Sequence, residues 1–211
     1  DRCWTIAKAH GPLPDSVLLN LNNVSGIYYQ NQGQFEMARG YLDKTLDLCH
    51  KVYGGDKAQY LAVYQNIAIL LGHQGKNKLA LQTFEQGLSG LEKSSVDSLI
   101  LASYLNNMAQ AYEALSQYEL ALAHFEEALG LFQSIPDHPE RASSLYGIAR
   151  IQRHLGDYEE AMEGFFEVLA MDTSAFGLYH HYVAADYQSL AVTYDLLQDY
   201  ENSRFYGAKA L

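Results

Sequence analysis

Gly156-Asp157-Tyr158-Glu159-Glu160-Ala161 reads as a helix stop followed at once by a helix start, with a glycine at the turn, an aromatic two residues on and an alanine three further. The arrangement returns as Gly33-Gln34-Phe35…Ala38, as Gly75-Lys76-Asn77…Ala80 with Asn in the aromatic's place, and as Ser116-Gln117-Tyr118…Ala121 with Ser in the glycine's place, and in degenerate form as Gln198-Asp199-Tyr200…Ser203. The turn residues are spaced by 42, 41, 40 and 42, so the chain is a tandem array of units of about 41 residues. Small and apolar residues recur at intervals of three and four on both sides of each turn, and β-alternation is absent. In the third unit one stripe carries Leu105, Met108, Ala109 and Tyr112, and the other carries Ala121, Phe125, Ala128 and Leu129. Breakers fall between units, at Gly11-Pro12 with Pro14, at Gly54-Gly55, and at Pro136 with Pro139. The expected class is all-α, with two antiparallel helices per unit.

These residues resemble the tetratricopeptide repeat. The matching positions are Tyr64, Ile67, Ala68, Gly75, Ala80 and Phe84 in the second unit, and Leu145, Ile148, Ala149, Gly156, Tyr158, Ala161 and Phe165 in the fourth. The standard unit has about 34 residues, and the longer form here adds roughly one turn to each helix. That form is similar to the repeats of kinesin light chain and of GoLoco-containing spindle adaptors, most closely in Leu105-Asn106-Asn107-Met108-Ala109 and Gln30-Asn31-Gln32-Gly33. Bacterial regulators carry similar long repeats. The resemblance implies a right-handed superhelical solenoid in which first helices line the concave side and second helices the convex side. It divides the chain, as one array over residues 1–211, into repeats at 14–53, 56–94, 96–135, 138–174 and an incomplete 177–211. Residues 1–10, with Cys3-Trp4-Thr5-Ile6-Ala7, read as the second helix of an earlier repeat, so the chain reads as a fragment of a longer protein.

Stacking on neighbours supplies the core of such an array. Ala68, Ala109, Ala149 and Ala191 permit close helix approach, and Tyr112, Phe125, Tyr158, Phe165, Tyr194 and Tyr200 are expected in the core or at its edge. With 211 residues, 48% hydrophobic and 18% charged, the chain can bury such a core. Fourteen Lys and Arg against 25 Asp and Glu leave a net charge of −11, the wrong sign for nucleic acid or anionic lipid. The longest charge-free run, Ser16 to Phe35, is interrupted by seven Asn and Gln residues and is not a bilayer span. Two cysteines, Cys3 and Cys49, argue against a disulfide framework and for a reducing, cytoplasmic setting.

Charge is distributed unevenly. The first helices of units one to three fall within charge-free stretches, whereas the fourth second helix carries Asp157, Glu159, Glu160, Glu163 and Glu167. In the neutral wall amides recur at matching places: Asn22 and Asn23, Gln65 and Asn66, Asn106 and Asn107, then Gln110. Such side chains can pair with the N–H and C=O of an extended peptide, or can satisfy a neighbouring helix. In the fourth unit Tyr146, Arg150, Arg153 and His154 take over these places. The arginines could fork onto a ligand carboxylate or pair with acidic residues of adjacent helices, including Asp195. Candidate partner-binding residues are therefore Asn23, Gln65, Asn66, Asn106, Asn107, Gln110, Tyr146, Arg150 and Arg153.

Catalytic residues, metal ligands and cofactors are not expected. His180-His181 and His124 with Glu127 fall short of a ligand set, Cys49 reads as a small buried hydrophobe, and no phosphate loop or nucleophile elbow occurs. The function expected is a protein-interaction scaffold holding a peptide or protein segment in a concave groove. The alternative is a regulatory region that controls an effector domain of a larger signalling protein. Self-association through an uncapped end is a third possibility.

Overall fold

Each of the five turn residues has a left-handed backbone: φ is 70° at Gly33, 72° at Gly75, 58° at Ser116, 96° at Gly156 and 60° at Gln198. The hydrogen bonds around them repeat as well. The residue after the turn donates its N–H to the carbonyl five places back, from Gln34 to Tyr29 (2.9 Å), Lys76 to Leu71 (2.9 Å), Gln117 to Tyr112 (3.0 Å), Asp157 to Gln152 (3.0 Å) and Asp199 to Tyr194 (2.9 Å). This Schellman closure satisfies carbonyls orphaned at a helix end. The same residue then accepts the first bond of the next helix from Ala38, Ala80, Ala121, Ala161 or Ser203, each at 3.0 Å. Glycine takes the left-handed conformation without steric cost, which Ser116 and Gln198 do not.

The structure, a computed structural model, describes residues 13–54, 57–132 and 138–211. The segment at residues 1–10, Cys3 and the breakers Gly11, Pro12, Gly55 and Pro136 lie outside them. Among the described residues there are ten α-helices and no strand: α1 (Asp15–Asn31), α2 (Phe35–Tyr53), α3 (Leu61–His73), α4 (Asn77–Leu88), α5 (Ser98–Glu113), α6 (Tyr118–Leu131), α7 (Pro139–Leu155), α8 (Tyr158–Phe176), α9 (His181–Leu196) and α10 (Tyr200–Lys209). Short 3₁₀ turns at Lys57–Tyr60 and Lys93–Ser95 lie in the connections. The short turns force antiparallel pairs.

The helices fall into two compact units, one reaching to Ile100 and the other starting at Leu101. In the first, α1 packs on α2, α2 on α3 and α3 on α4. A Cβ at Gly26 would come within 2.8 Å of Leu42, so the close approach of α1 and α2 requires glycine there. Gly26 lies seven residues before its turn, as Ala68, Ala109, Ala149 and Ala191 do before theirs, and those alanines are 9% exposed or less. Nine residues after the turns stand Leu42, Phe84, Phe125 and Phe165, all 2% exposed or less.

In the second unit Phe165 clusters with Ala149 and Ala161 of its own pair and with Leu190 of α9. The Phe125 ring of α6 lies against the Cα of Gly147 on α7, with no room for a side chain. The fifth pair departs from this pattern, because Gly207 occupies the place of the large residue. A cavity of about 450 Å³ lined by Ala191 and Gly207 lies between α9 and α10. Tyr112, Phe125 and Phe165 are buried as expected, and Tyr158 and Tyr194 are half-buried, but Tyr200 is 56% exposed. At the matching place Tyr118 is covered by His154 of the following pair (ring centroids 5.6 Å apart), and no later helix among the described residues covers Tyr200.

The two helical glycines separate packing from propensity. Alanine at Gly207 would meet Ala191 at an ordinary 3.8 Å, so Gly207→Ala should stabilise the protein by about 0.5–1 kcal/mol. Gly147→Ala, which drives a methyl into the Phe125 ring, should instead cost about 1–3 kcal/mol. Urea unfolding of both variants beside the wild type checks the pair of signs.

Candidate functional site

A concavity of the second unit is lined in part by Gly147. Phe125 forms part of its floor, and α7, α8 and α9 supply most of its walls around about 550 Å³, within the range of ligand cavities. Gln110 of α5 and Arg150 of α7, each six residues before its turn, face this space together with Tyr146. Asp172 near the end of α8 and Asp186 near the start of α9 line it as well, with Phe176 and Tyr182, and the antiparallel course of α7 and α8 sets Asp172 toward the start of α7 and away from Arg150 near its end.

Arg150 is only partly committed. One terminal nitrogen donates to Glu113 of α5, and the guanidinium carbon lies 5.6 Å from the centroid of the Tyr146 ring. Its Nε is buried without a hydrogen-bond partner. The acidic partner is thus Glu113 and not Asp195, which is exposed on α9. Tyr146 is fixed through its hydroxyl, 2.8 Å from Ser189 Oγ. Arg153 points away from the cavity, donating to the Ser189 carbonyl (3.3 Å) over the Phe165 ring (5.3 Å), and burial lowers its pKa. His154 stacks on Tyr118.

The amides are spent largely on the protein itself. Asn66 donates to Asn23 Oδ1 at 2.8 Å in the first unit, where Gln65 is half-buried and Asn22 is buried. Asn106 is 4% exposed, accepts from Ser144 Oγ (2.8 Å) and donates to the Glu140 carbonyl (3.4 Å). Asn107 donates to the Ser103 carbonyl one turn back (2.8 Å). Gln110, Tyr146 and Arg150 are therefore the candidate residues that the structure brings to one cavity, with Asn106 buried nearby, Arg153 directed elsewhere, and Asn23, Gln65 and Asn66 in the other unit.

The two aspartates were not among the candidates. Asp186 is 2% exposed, and its Oδ2 has no hydrogen-bond partner. Burial, reinforced by Asp172, pushes its pKa up to about 7. Asp172 is raised as well, by burial, with His180 acting in the opposite direction. Sequence register could have found both. Asp186 stands twelve residues before its turn, where Val63, Tyr104 and Ser144 are buried, and Asp172 stands sixteen after its turn, where Cys49 and Phe132 are buried. Charged residues at two core positions of a repeat are out of pattern.

Elsewhere, His180 caps α9 by accepting from Tyr182 N (3.3 Å), and His124 stacks on Tyr112 (5.2 Å). Among the described residues no three His, Cys, Asp or Glu side chains converge as metal ligands, and no helix is long and apolar enough to cross a membrane. Cys49 is fully buried, which raises its thiol pKa.

A carboxyl whose folded pKa lies above its unfolded value binds its proton more tightly in the folded state. Folding is then unpenalised below the unfolded value near 4, and stability declines as pH rises through about 7, where the buried charge forms. The advantage of Asp186→Asn over the wild type should accordingly grow by about 2 kcal/mol between pH 5 and pH 8. Urea melts of both proteins at the two pH values measure the difference.

Comparison with known proteins places this geometry in context. The tetratricopeptide repeat pattern matches residues 17–93 and 100–173. Regulatory protein RapG of Bacillus subtilis is 26% identical over 152 residues, which is 72% of this chain and 39% of RapG, so the chain spans about two fifths of that relative. Two of the solved structures that share the fold illustrate it. One, of kinesin light chain-like, nearly identical TPR-like repeats from Podosopora anserina, has a TM-score of 0.76 and 20% identity, covering 94% of this chain and 95% of that one. The other, a Rap protein complexed with Competence and Sporulation Factor, has a TM-score of 0.77 and 17% identity, covering 96% and 56%. With the family pattern over most of its length and the same helix-pair fold, the chain belongs to the tetratricopeptide repeat family.

Proposed function

We propose that this chain is a protein-interaction scaffold and that the cavity of its second unit receives an extended segment of a partner protein or peptide. The observation that carries the reading is the convergence of Gln110, Tyr146 and Arg150 on one cavity with Arg150 Nε unpartnered. A peptide carboxylate, from a C-terminus or an acidic side chain, would satisfy that donor, and the Gln110 amide could pair with the peptide backbone. Asn107 and the Asn23–Asn66 pair play a supporting part in this reading, holding the wall more than touching the ligand. The repeats are delimited as 14–53, 56–94, 96–135, 138–174 and 177–211, and the setting is cytoplasmic. No catalytic step is assigned.

Similarity to RapG favours a second reading, in which the array is the regulatory part of a larger signalling protein and the bound peptide controls an effector domain. The Rap structure complexed with Competence and Sporulation Factor supports a bound factor in that role.

Panning a random peptide display library against the wild-type chain, with a Gln110→Ala, Tyr146→Ala, Arg150→Ala variant as counter-target, tests the site. Peptides enriched on the wild type should lose about 1–3 kcal/mol of affinity on the variant, read by calorimetry. Enrichment that is equal on both, or absent, would remove the cavity as the binding site.

A further inference from the structure

We propose that the acidic end of the second unit's cavity, formed by Asp172 and Asp186, is a subsite for the guanidinium of an arginine side chain in the partner peptide. The inference rests on the peptide-binding reading above and adds the chemistry of one anchor.

Three observations carry it. Asp172 and Asp186 replace apolar or neutral residues at positions that other repeats bury, so the fold does not require carboxylates there. An unpaired buried charge costs several kcal/mol, and a helix pair gains no packing in return. Asp186 lines the cavity and is more than nine-tenths buried, and its Oδ2 has no hydrogen-bond partner. Two arginines of α7 are paired with other carboxylates: Arg141 with Glu167 at 2.8 Å, and Arg150 with Glu113. His180 is the base that acts on Asp172, and it is stacked on Phe176 with centroids 4.5 Å apart.

The walls select among cations. Phe176 and Tyr182 stand edge to face at 5.4 Å beside the aspartates, and both line the cavity. A planar guanidinium can lie on an aromatic face while its fork of N–H groups reaches two carboxylates, which a compact ammonium cannot do. A bound guanidinium would also act against the burial and the Asp172 charge that raise the Asp186 carboxyl to about 7, since an opposite charge favours ionisation. The cavity then has two poles, with the Arg150 end suited to a carboxylate and the aspartate end to an arginine.

The test titrates the whole chain at pH 8 with N-acetyl-arginine methylamide, its citrulline isostere and the lysine analogue, followed by amide chemical shifts. Saturable binding of the arginine probe is expected, with shifts on α8 and α9. Affinity should fall about tenfold or more for citrulline and for the Asp186→Asn variant, and less for lysine. Circular dichroism establishes that the variant is folded, and Asp172→Asn provides an independent second substitution. Failure of the arginine probe to saturate, or equal binding of arginine and citrulline, overturns the assignment, as does full affinity in both variants. The peptide-binding reading fails separately, through the Gln110, Tyr146 and Arg150 variant. Displayed peptides that depend on Arg150 but are indifferent to both aspartates would leave that reading standing and refute this subsite.

Discussion

The distance between paired helices is set by one recurring contact, a small residue on the first helix beneath a large one on the second. Gly26 under Leu42 shows the tolerance, since even a methyl group would collide. Close packing at interior density leaves no slack to absorb such a collision. In the second unit the large residue also reaches the following first helix, as Phe125 does at Gly147 and Phe165 at Leu190. A single side chain thus fixes both the hairpin and its stacking on the next one. Gly147 also lines the candidate binding cavity, beside Phe125.

The fold was largely legible because its determinants are local. A left-handed turn favours glycine, and a helix start places an alanine or serine at a fixed offset, so both leave marks within a few residues of sequence. Even Ser116 and Gln198, which do not advertise the turn by type, were legible through their spacing. Gly26 escaped notice as the first unit's small residue because glycine in a helix also reads as a weak point. Tyr200 was misjudged because its cover would have to come from another helix pair, which register alone does not supply.

The candidate site was legible only in part, for a related reason. An amide advertises hydrogen-bonding capacity without saying to whom it is directed. Asn66 meets Asn23 across 43 positions of sequence, and Asn106 meets Ser144 across 38, so their commitments emerge only with the pairing of helices. Gln110 and Arg150 did reach a shared cavity, since six residues before a turn is a constant place on the first helix. Asp172 and Asp186 were passed over among 25 acidic residues, most of which serve solvation. What distinguishes them is their occupancy of core register, a property of the repeat and not of the residue.

The fifth pair, where Gly207 stands in for the large residue, bears on dynamics. No residue of α10 is buried, so this hairpin is held mainly by its turn and by ring contacts of Tyr206 with Tyr194 and Phe166. Local opening costs least where few apolar contacts must be broken. Amide protons of α10 therefore exchange with solvent through a partial opening that leaves Phe165 packed, while those of α7 and α8 wait for a larger event. The protein carries a gradient of protection along its second unit, shallow at α10 and deep where Phe125 and Phe165 are seated.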